Sequence, residues 1–511
     1  MLVASYHQRG SPEEGLQASS HDKPQGFPLW SVMVALTLVN CLMLLDVSIV
    51  STKLLLRYIF NFRGVPAITN EFGSLRDIGC AALQPLAGKV YTNFYPKWVF
   101  LVFFLLFEVG SLICALANSS SMLIIGRAVA GMGTSGTQNG FNTIIAGIVP
   151  LQKRPALIGI AFGFAQIGLA SGPLVGVVAV LLVMVRIPDP VPKAHPMAVL
   201  RTLHKKMDFP GFFAFAGSSI MLLLAPQYGD NQFPWYSATV IGCFCGAGAT
   251  FLLWLFWNWK QGEAGLIPLS LICLKPVWSS CATFGLSMGA LLTTSYFLPI
   301  YFQGVRGASP LMSGIQVLPN IIPQIITAVL AGVLVTKFGY YLPFSLLGTV
   351  LFTIGSALIS TYSLTTPLGH RIGYQPIIAV QNSVSPEKIP IVSAMLTFTQ
   401  QSFGSLLVSF GNTILTNSLK ILLPGYAPSV DPERAIAAGA TELRNVVSLS
   451  ILDDVLRAYT KSVNRVYYLA AGCGAAAFFI SWGMGWKDIR KNRANSPTLP
   501  ADQEKSTAQY S

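Results

Sequence analysis

The 511 residues are 52% hydrophobic and only 10% charged, and their formal net charge is +13. Because soluble domains carry about 25% charged residues, this composition excludes a water-soluble protein of this size. The basic residues are spread over short connectors, which is typical of cytoplasmic loops between membrane spans and does not indicate binding to nucleic acid.

The eight cysteines lie mostly inside apolar segments and lack zinc-ligand spacing. We therefore expect no metal, no cofactor and no disulfide framework.

The N-terminal part of the chain predicts a tail and then a transmembrane half. Residues 1–28 are mostly polar and predict a disordered cytoplasmic tail, while residues 29–186 form the N-terminal transmembrane half. The full spans of this half are Leu29 to Thr52, Trp98 to Ala117, Ser121 to Val149 and Ala156 to Gly176. Residues 78–91 and 177–185 are apolar but too short to cross about 30 Å of hydrocarbon.

The remaining chain predicts a second half with two additional spans. Residues 187–207 form a cytoplasmic connector, 208–259 two additional spans, 260–415 the C-terminal transmembrane half, 416–465 a long extramembrane loop, 466–486 the last span and 487–511 a cytoplasmic tail. A third short fragment covers 372–381. Eleven full spans and three fragments predict fourteen crossings in an all-α membrane protein.

Three ionisable side chains fall inside the apolar segments of the first half: Asp46, Glu108 and Arg127. A charge at mid-bilayer is costly, about 2.5–3.5 kcal/mol for arginine on insertion scales, so such a group is expected to face a partner or a wet cavity. Each residue has a structural alternative. Arg127 can reach the interface from its helix end, Asp46 can cap a helix, and Glu108 can hydrogen-bond within the bundle without carrying protons.

Two glycine-rich stretches predict close helix packing. The segment Leu123 to Gly136 contains Gly131, Gly133 and Gly136, and small residues let membrane helices approach closely. In the following span Gly168, Gly172 and Gly176 share one helix face. Pro173 lies between them and frees a backbone carbonyl, so this helix is expected to pack tightly and bend.

A solute cavity is predicted less sharply. Polar or aromatic residues on otherwise apolar spans are candidates for its lining: Gln166, Tyr296, Gln303 and Gln400. The alternative for each is a hydrogen bond that packs one helix against another.

At these motifs the chain resembles the fourteen-span fungal drug:proton antiporters of the major facilitator superfamily. Arg127 with the three following glycines is similar to the fourth-span motif, and the Gly168 to Gly176 run to the fifth-span antiporter motif, although Val177 replaces its last glycine. Asp46 stands at the first-span aspartate. Further similar stretches are Gly88–Lys97, Leu298–Gln303, Ser313–Pro319, Gly332–Tyr341 and Gly439–Arg444.

The resemblance implies two bundles of six helices plus two extra spans, working by alternating access. Protons moving inward would drive export of an amphipathic small molecule, a fungal toxin, secondary metabolite or xenobiotic. The coupling groups would be Asp46, Glu108 and Arg127. The expected partners are a small-molecule substrate, protons and the lipid bilayer, without ATP or nucleic acid. The expected location is the plasma membrane, with the vacuolar membrane as the alternative.

The chain departs from the family pattern at four joints. Residues 53–63 look inserted, and coding sequence looks absent at Gly79/Cys80, Gly176/Val177 and Tyr374/Gln375. We interpret these joints as gene-model errors, namely a retained intron at the first joint and skipped coding sequence at the other three. A cDNA that reproduces all four joints would refute this interpretation.

Three other functions remain open: an importer or exchanger of a specific solute such as an amino acid or iron chelate, an inactive truncated relative, and an enzyme. The sequence gives the enzyme little support, because no catalytic arrangement can be placed.

Overall fold

The computed structural model describes residues 32–41, 43, 82–117, 119–149, 153–168, 207–229, 233–379, 390–436, 444, 447–448 and 450–486. This part of the chain is helical, and it contains no strand beyond an isolated bridge between Gly229 and Phe233.

Thirteen helices are labelled here in chain order. They are α1 Val32–Cys41, α2 82–93, α3 Pro96–Leu116, α4 Ser120–Ile148, α5 Arg154–Gly168, α6 Phe209–Tyr228, α7 Ala238–Gln261, α8 Lys275–Ile300, α9 Pro310–Phe338, α10 Leu342–Ile359, α11 Leu368–Ala379, α12 Pro390–Tyr426 and α13 Leu452–Ser481. A π-helical turn, Tyr301–Val305, extends α8. Within the described residues, eight helices are long and apolar enough to cross a membrane. The predicted all-α membrane fold is confirmed.

Local sequence explains where several helices begin and end. The hydroxyls of Ser119, Ser237 and Ser309 each accept a hydrogen bond from a backbone N–H in the first turn of α4, α7 and α9. These bonds satisfy amide groups that the helix itself leaves unpaired. Helix α9 stops at Gly339, whose φ of 81° is a left-handed conformation that glycine adopts without strain.

Helix α3 shows how the sequence separates lipid from protein. One face is exposed at every third or fourth residue, and its members are Trp98, Val102, Leu105, Val109, Leu112 and Leu116. This spacing is one stripe of an α-helix, and its apolar character suits contact with acyl chains. The opposite face packs against α4.

Each half of the chain has its own hydrophobic core. One is built from α1–α5 and the other from α8–α13. The α6–α7 hairpin joins the second half through a smaller cluster, in which the ring of Phe215 lies 5.0 Å from Trp254 of α7 and 4.9 Å from Phe398 of α12.

The structure differs from the predicted extramembrane loop 416–465 at both ends. Helix α12 continues to Tyr426, and α13 already begins at Leu452 instead of near residue 466. The reason is amphipathicity. Val455 and Val463 are fully buried in the core of the C-terminal half, while the charged residues Asp453, Arg457 and Lys461 of the same turns are exposed. Average hydropathy therefore missed the first turns of α13, which tertiary packing stabilises.

The predicted short fragments have different outcomes. Residues 372–379 of the third fragment lie in α11, whose described part has 12 residues and spans about 18 Å. The fragment at 78–91 overlaps α2, and the one at 177–185 lies outside the described residues.

Candidate functional site

The glycines of α4 bring it into backbone contact with α3. A Cβ atom added at Gly126, Gly133 or Gly136 would lie closer than 3.0 Å to Cys114, Phe107 or Phe103 respectively. Gly110 of α3 approaches Ala130 of α4 in the same way. Side chains larger than hydrogen at these positions would hold the helices apart. Gly131, the third predicted member of the motif, is also buried.

Arg127 lies inside this packed region. Its side chain is only 4% exposed, although α4 begins seven residues earlier at Ser120. Burial by protein does not fit an arginine that reaches water at the helix end. The same helix carries further buried polar residues, namely Thr134, Ser135, Thr137 and Asn139. Helix α4 thus presents polar groups to the interior of the N-terminal half.

Glu108 lies on the same flank of the α3–α4 pair as Arg127. Glu108 follows the interface residue Phe107, and Arg127 follows the interface residue Gly126. Both helices are right-handed and they run antiparallel. The residue that follows an interface residue therefore points to the same side of the helix pair on each helix. The pairing register separates the two positions by about 7.5 Å along the axes. Glu108 is half-buried, and neither residue is isolated in the structure.

A narrow crevice between α1, α3 and α4 contains polar groups that sequence reasoning missed. Its walls include Leu36, Phe100 and Phe141, and its polar groups are Asn40, Thr137 and Gln138. The Thr137 hydroxyl donates to the Gly133 carbonyl over 2.7 Å. The Nδ2 atom of Asn40 is buried and meets no acceptor among the described residues. Neutral amides attract little attention in a sequence, because they cost less to bury than charges.

The four predicted cavity residues lie on different segments, and the described contacts do not join them in one cluster. Tyr296 on α8 is 37% exposed, and its ring lies edge-on to Phe297 at 5.1 Å. Gln303 donates from Nε2 to the Ser313 hydroxyl over 3.4 Å, which matches the packing alternative. Gln400 is half-buried on α12. Gln166 belongs to α5, but its side chain lies outside the described part.

The two halves meet where α5 crosses α9. A Cβ at Gly159 would strike the backbone carbonyl of Ala328, and one at Gly332 would strike that of Pro155. This crossing joins the N-terminal half to the C-terminal half through backbone contact. Gly168 is the last described residue of α5, while Gly172, Pro173 and Gly176 lie outside the described residues, as does Asp46.

A polar junction lies at the end of α2. The Lys89 ammonium donates to the Ala264 carbonyl, and it also interacts electrostatically with Asp208. Asp208 is 9% exposed and accepts N–H bonds from Gly211 at 3.0 Å, Trp257 at 2.8 Å and Leu266 at 2.9 Å. One carboxylate therefore fixes the start of α6, the end of α7 and the loop that follows.

The fold defines a class of protein. The chain is similar in structure to a bacterial homologue of the human lysosomal transporter Spinster, with a TM-score of 0.51 at 15% identity, covering 94% of this chain and 100% of that one. It is also similar to the proton:xylose symporter XylE, with a TM-score of 0.52 at 14% identity over 91% and 98% of the two chains. Both proteins have the fold of a multi-pass helical transporter.

Sequence comparison identifies the family. A model of the Major Facilitator Superfamily matches residues 29–186. The chain is 45% identical to the MFS-type transporter pigP of Monascus ruber over 94% of this chain and 89% of that protein. It is 39% identical to the efflux pump mlcE of Penicillium citrinum over 91% of each chain. The chain belongs to the major facilitator superfamily, as its motifs predicted, and its relatives are fungal transporters.

Proposed function

We propose that the protein exports an amphipathic small organic molecule in exchange for protons. The observation that carries this proposal is the buried Arg127 on the same flank of the α3–α4 pair as Glu108. A cation and a carboxylate at membrane depth are costly to bury, and such residues therefore mark a functional site by default. The direction of transport is taken from relatives that are named efflux pumps.

The chemistry of coupling follows from electrostatics. A carboxylate beside a cation favours its ionised form, whereas burial away from the cation favours the protonated form. A helix movement that takes the carboxylate away from Arg127 would therefore load a proton onto the carboxylate. A movement that brings the carboxylate back toward Arg127 would release the proton. Each proton moving inward contributes about 2.3 kcal/mol per 100 mV of membrane potential. Asp46 is the other proposed carboxylate of this system.

The proposed solute is amphipathic and largely apolar. The apolar spans that would surround a cavity are rich in aliphatic and aromatic side chains. Such a lining suits a hydrophobic molecule with a few polar groups. We propose a fungal toxin, secondary metabolite or xenobiotic, exported across the plasma membrane.

The test uses the full-length protein in proteoliposomes with an imposed pH gradient. Wild-type protein is expected to move a fluorescent apolar dye against its gradient and to discharge the pH gradient as it does so. Glu108→Gln and Asp46→Asn should each abolish the proton-driven component. The control is Glu263→Gln, because Glu263 is exposed and accepts a hydrogen bond from the Ser270 hydroxyl. Proton-driven transport that survives in both membrane variants would contradict the coupling scheme, and uptake in the opposite direction would contradict export.

A further inference from the structure

Three arginines gather at the end of the C-terminal half where α8 turns into α9. Arg306 follows the π-helical turn of α8, and its guanidinium donates to the Leu364 carbonyl. Arg444 donates from Nη2 to the Val305 carbonyl over 2.7 Å. Arg371 lies near the start of α11. We call Arg306, Arg371 and Arg444 the arginine cluster.

The cluster is compact because its contacts fall on neighbouring backbone positions. The Tyr301 hydroxyl donates to the Ser363 carbonyl over 2.9 Å, next to the carbonyl that Arg306 uses. The ring of Tyr301 lies 5.2 Å from that of Tyr362, whose hydroxyl donates to the Arg371 carbonyl over 2.8 Å. The Arg444 guanidinium lies beside Gly307, the residue after Arg306.

No acidic side chain compensates these charges in the described part of the chain. The cations of the cluster bond to neutral backbone carbonyls, and none of the described carboxylates forms an ion pair with them. In the loop beyond α12, by contrast, Arg434 pairs with Asp431 at 3.8 Å on the protein surface. Three guanidinium groups with no counter-ion among the described residues repel one another, so the arrangement favours an added anion.

Buried donors without acceptors give a second, independent observation. Arg371 is only 8% exposed, and its Nε–H meets no acceptor among the described residues. The Nε–H of Arg444 is likewise buried and unmatched, as is the hydroxyl of the fully buried Tyr467. Tyr467 belongs to the same buried core as Tyr301. Leaving such donors unpaired is costly, and an anionic oxygen satisfies charge and hydrogen bond together.

We propose that the arginine cluster binds an oxyanion, either the carboxylate of a small organic acid or the phosphate of a lipid headgroup. The planar guanidinium group matches both oxyanions. With the connector 187–207 on the cytoplasmic side, alternating spans place the cluster at the outer surface. There it would receive the acidic group of a departing solute or a headgroup of the outer leaflet. Only the solute source rests on the proposed export function.

The experiment measures binding without transport. Full-length protein in dodecyl maltoside is titrated with benzoate, with methyl benzoate as the uncharged control, and with dioctanoyl phosphatidic acid, while thermal unfolding is followed. A ligand that binds the folded protein raises the unfolding temperature, because it stabilises the folded state by RT ln(1 + L/Kd), where L is the free ligand concentration. Stabilisation by benzoate but not by its ester supports a carboxylate site. Stabilisation by phosphatidic acid alone supports a headgroup site.

Variants locate the site. Arg371→Gln and Arg444→Gln should each weaken binding about tenfold or more, because each removes a charged donor. Arg371→Lys keeps the charge but loses the planar group, so its affinity should fall between those of wild type and Arg371→Gln. The control Arg434→Gln should bind like wild type, because its arginine is 84% exposed and paired.

Several results would overturn the proposal. They are the absence of stabilisation by either anion, equal stabilisation by methyl benzoate, and unchanged binding in the cluster variants. An equal loss in Arg434→Gln would also overturn it, because the effect would then be that of surface charge. If Arg371→Gln does not fold, Arg371→Lys and Arg444→Gln decide the question. Because no proton gradient is involved, failure of this assay leaves the export scheme untouched.

Discussion

Replacing Gly133 with alanine is expected to push α3 away from α4. The added Cβ would meet the backbone N and Cα atoms of Phe107, which cannot rotate aside. Restoring an ordinary contact requires a separation of about 1 Å, and a gap of that size forfeits a quarter to a half of the dispersion energy along the interface. Overpacking of this kind costs about 1–3 kcal/mol.

The neighbouring Gly136 gives a different result for a stated reason. Its added Cβ would meet only ring atoms of Phe103. Removing the ring should therefore relieve the clash. The double variant Gly136→Ala with Phe103→Ala should lose less unfolding free energy than the two single variants lose in sum. Phe107→Ala keeps the backbone atoms that clash with Gly133→Ala, so that pair should show no rescue. Coupling between contacting residues is what a double-mutant cycle measures.

The assay is thermal unfolding of the full-length protein in detergent, with Gly248→Ala as the control. Gly248 lies in α7, and a Cβ there meets nothing within 4 Å. This control should be as stable as wild type or slightly more so, because alanine favours the helix over glycine. Backbone contact at Gly133 is refuted if Gly133→Ala unfolds at the same temperature as the control. It is also refuted if Phe107→Ala rescues Gly133→Ala as well as Phe103→Ala rescues Gly136→Ala.

The contact between the halves predicts a loss of transport: Gly332→Ala places a Cβ against the Pro155 carbonyl and should slow dye export in proteoliposomes, while Gly314→Ala, with open space around it, should not. Equal export rates in the two variants would contradict a role for this crossing. Asp208→Asn should lower the unfolding temperature, because an amide cannot accept the Leu266 N–H at the second oxygen, and each lost charged bond costs about 1.5–3 kcal/mol. Asp208→Ala should be less stable still, and melting of both variants with wild type would show that this carboxylate does not hold the junction.

The sequence predicted the elements whose physical cause is local. Apolar segments of about 20 residues identify spans because hydrocarbon thickness fixes their length. The glycines around Arg127 predicted close packing because small residues matter wherever helices touch. The family was also predictable, since its motifs are short patterns read directly from the chain.

Only the charged residues of the candidate site could be predicted from the sequence. Glu108 and Arg127 stand out because a charge inside an apolar segment is rare. Asn40 did not stand out, although it lines the crevice, and Gln303 was selected although it bonds a nearby serine. A neutral amide looks the same in a sequence whether it meets a solute or a neighbouring helix.

By itself the sequence determined the apolar character of the helical segments, the close-packing glycines of α4 and which charged residues fall inside apolar segments, because each depends on residues close together in the chain. Only the tertiary structure decided that α13 begins at Leu452, that Asp208 joins three segments, and that three arginines cluster with no carboxylate paired to them in the described part of the chain. These facts depend on which distant residues share a surface. Burial and hydrogen-bond satisfaction are properties of that shared surface, and hydropathy along one segment does not contain them.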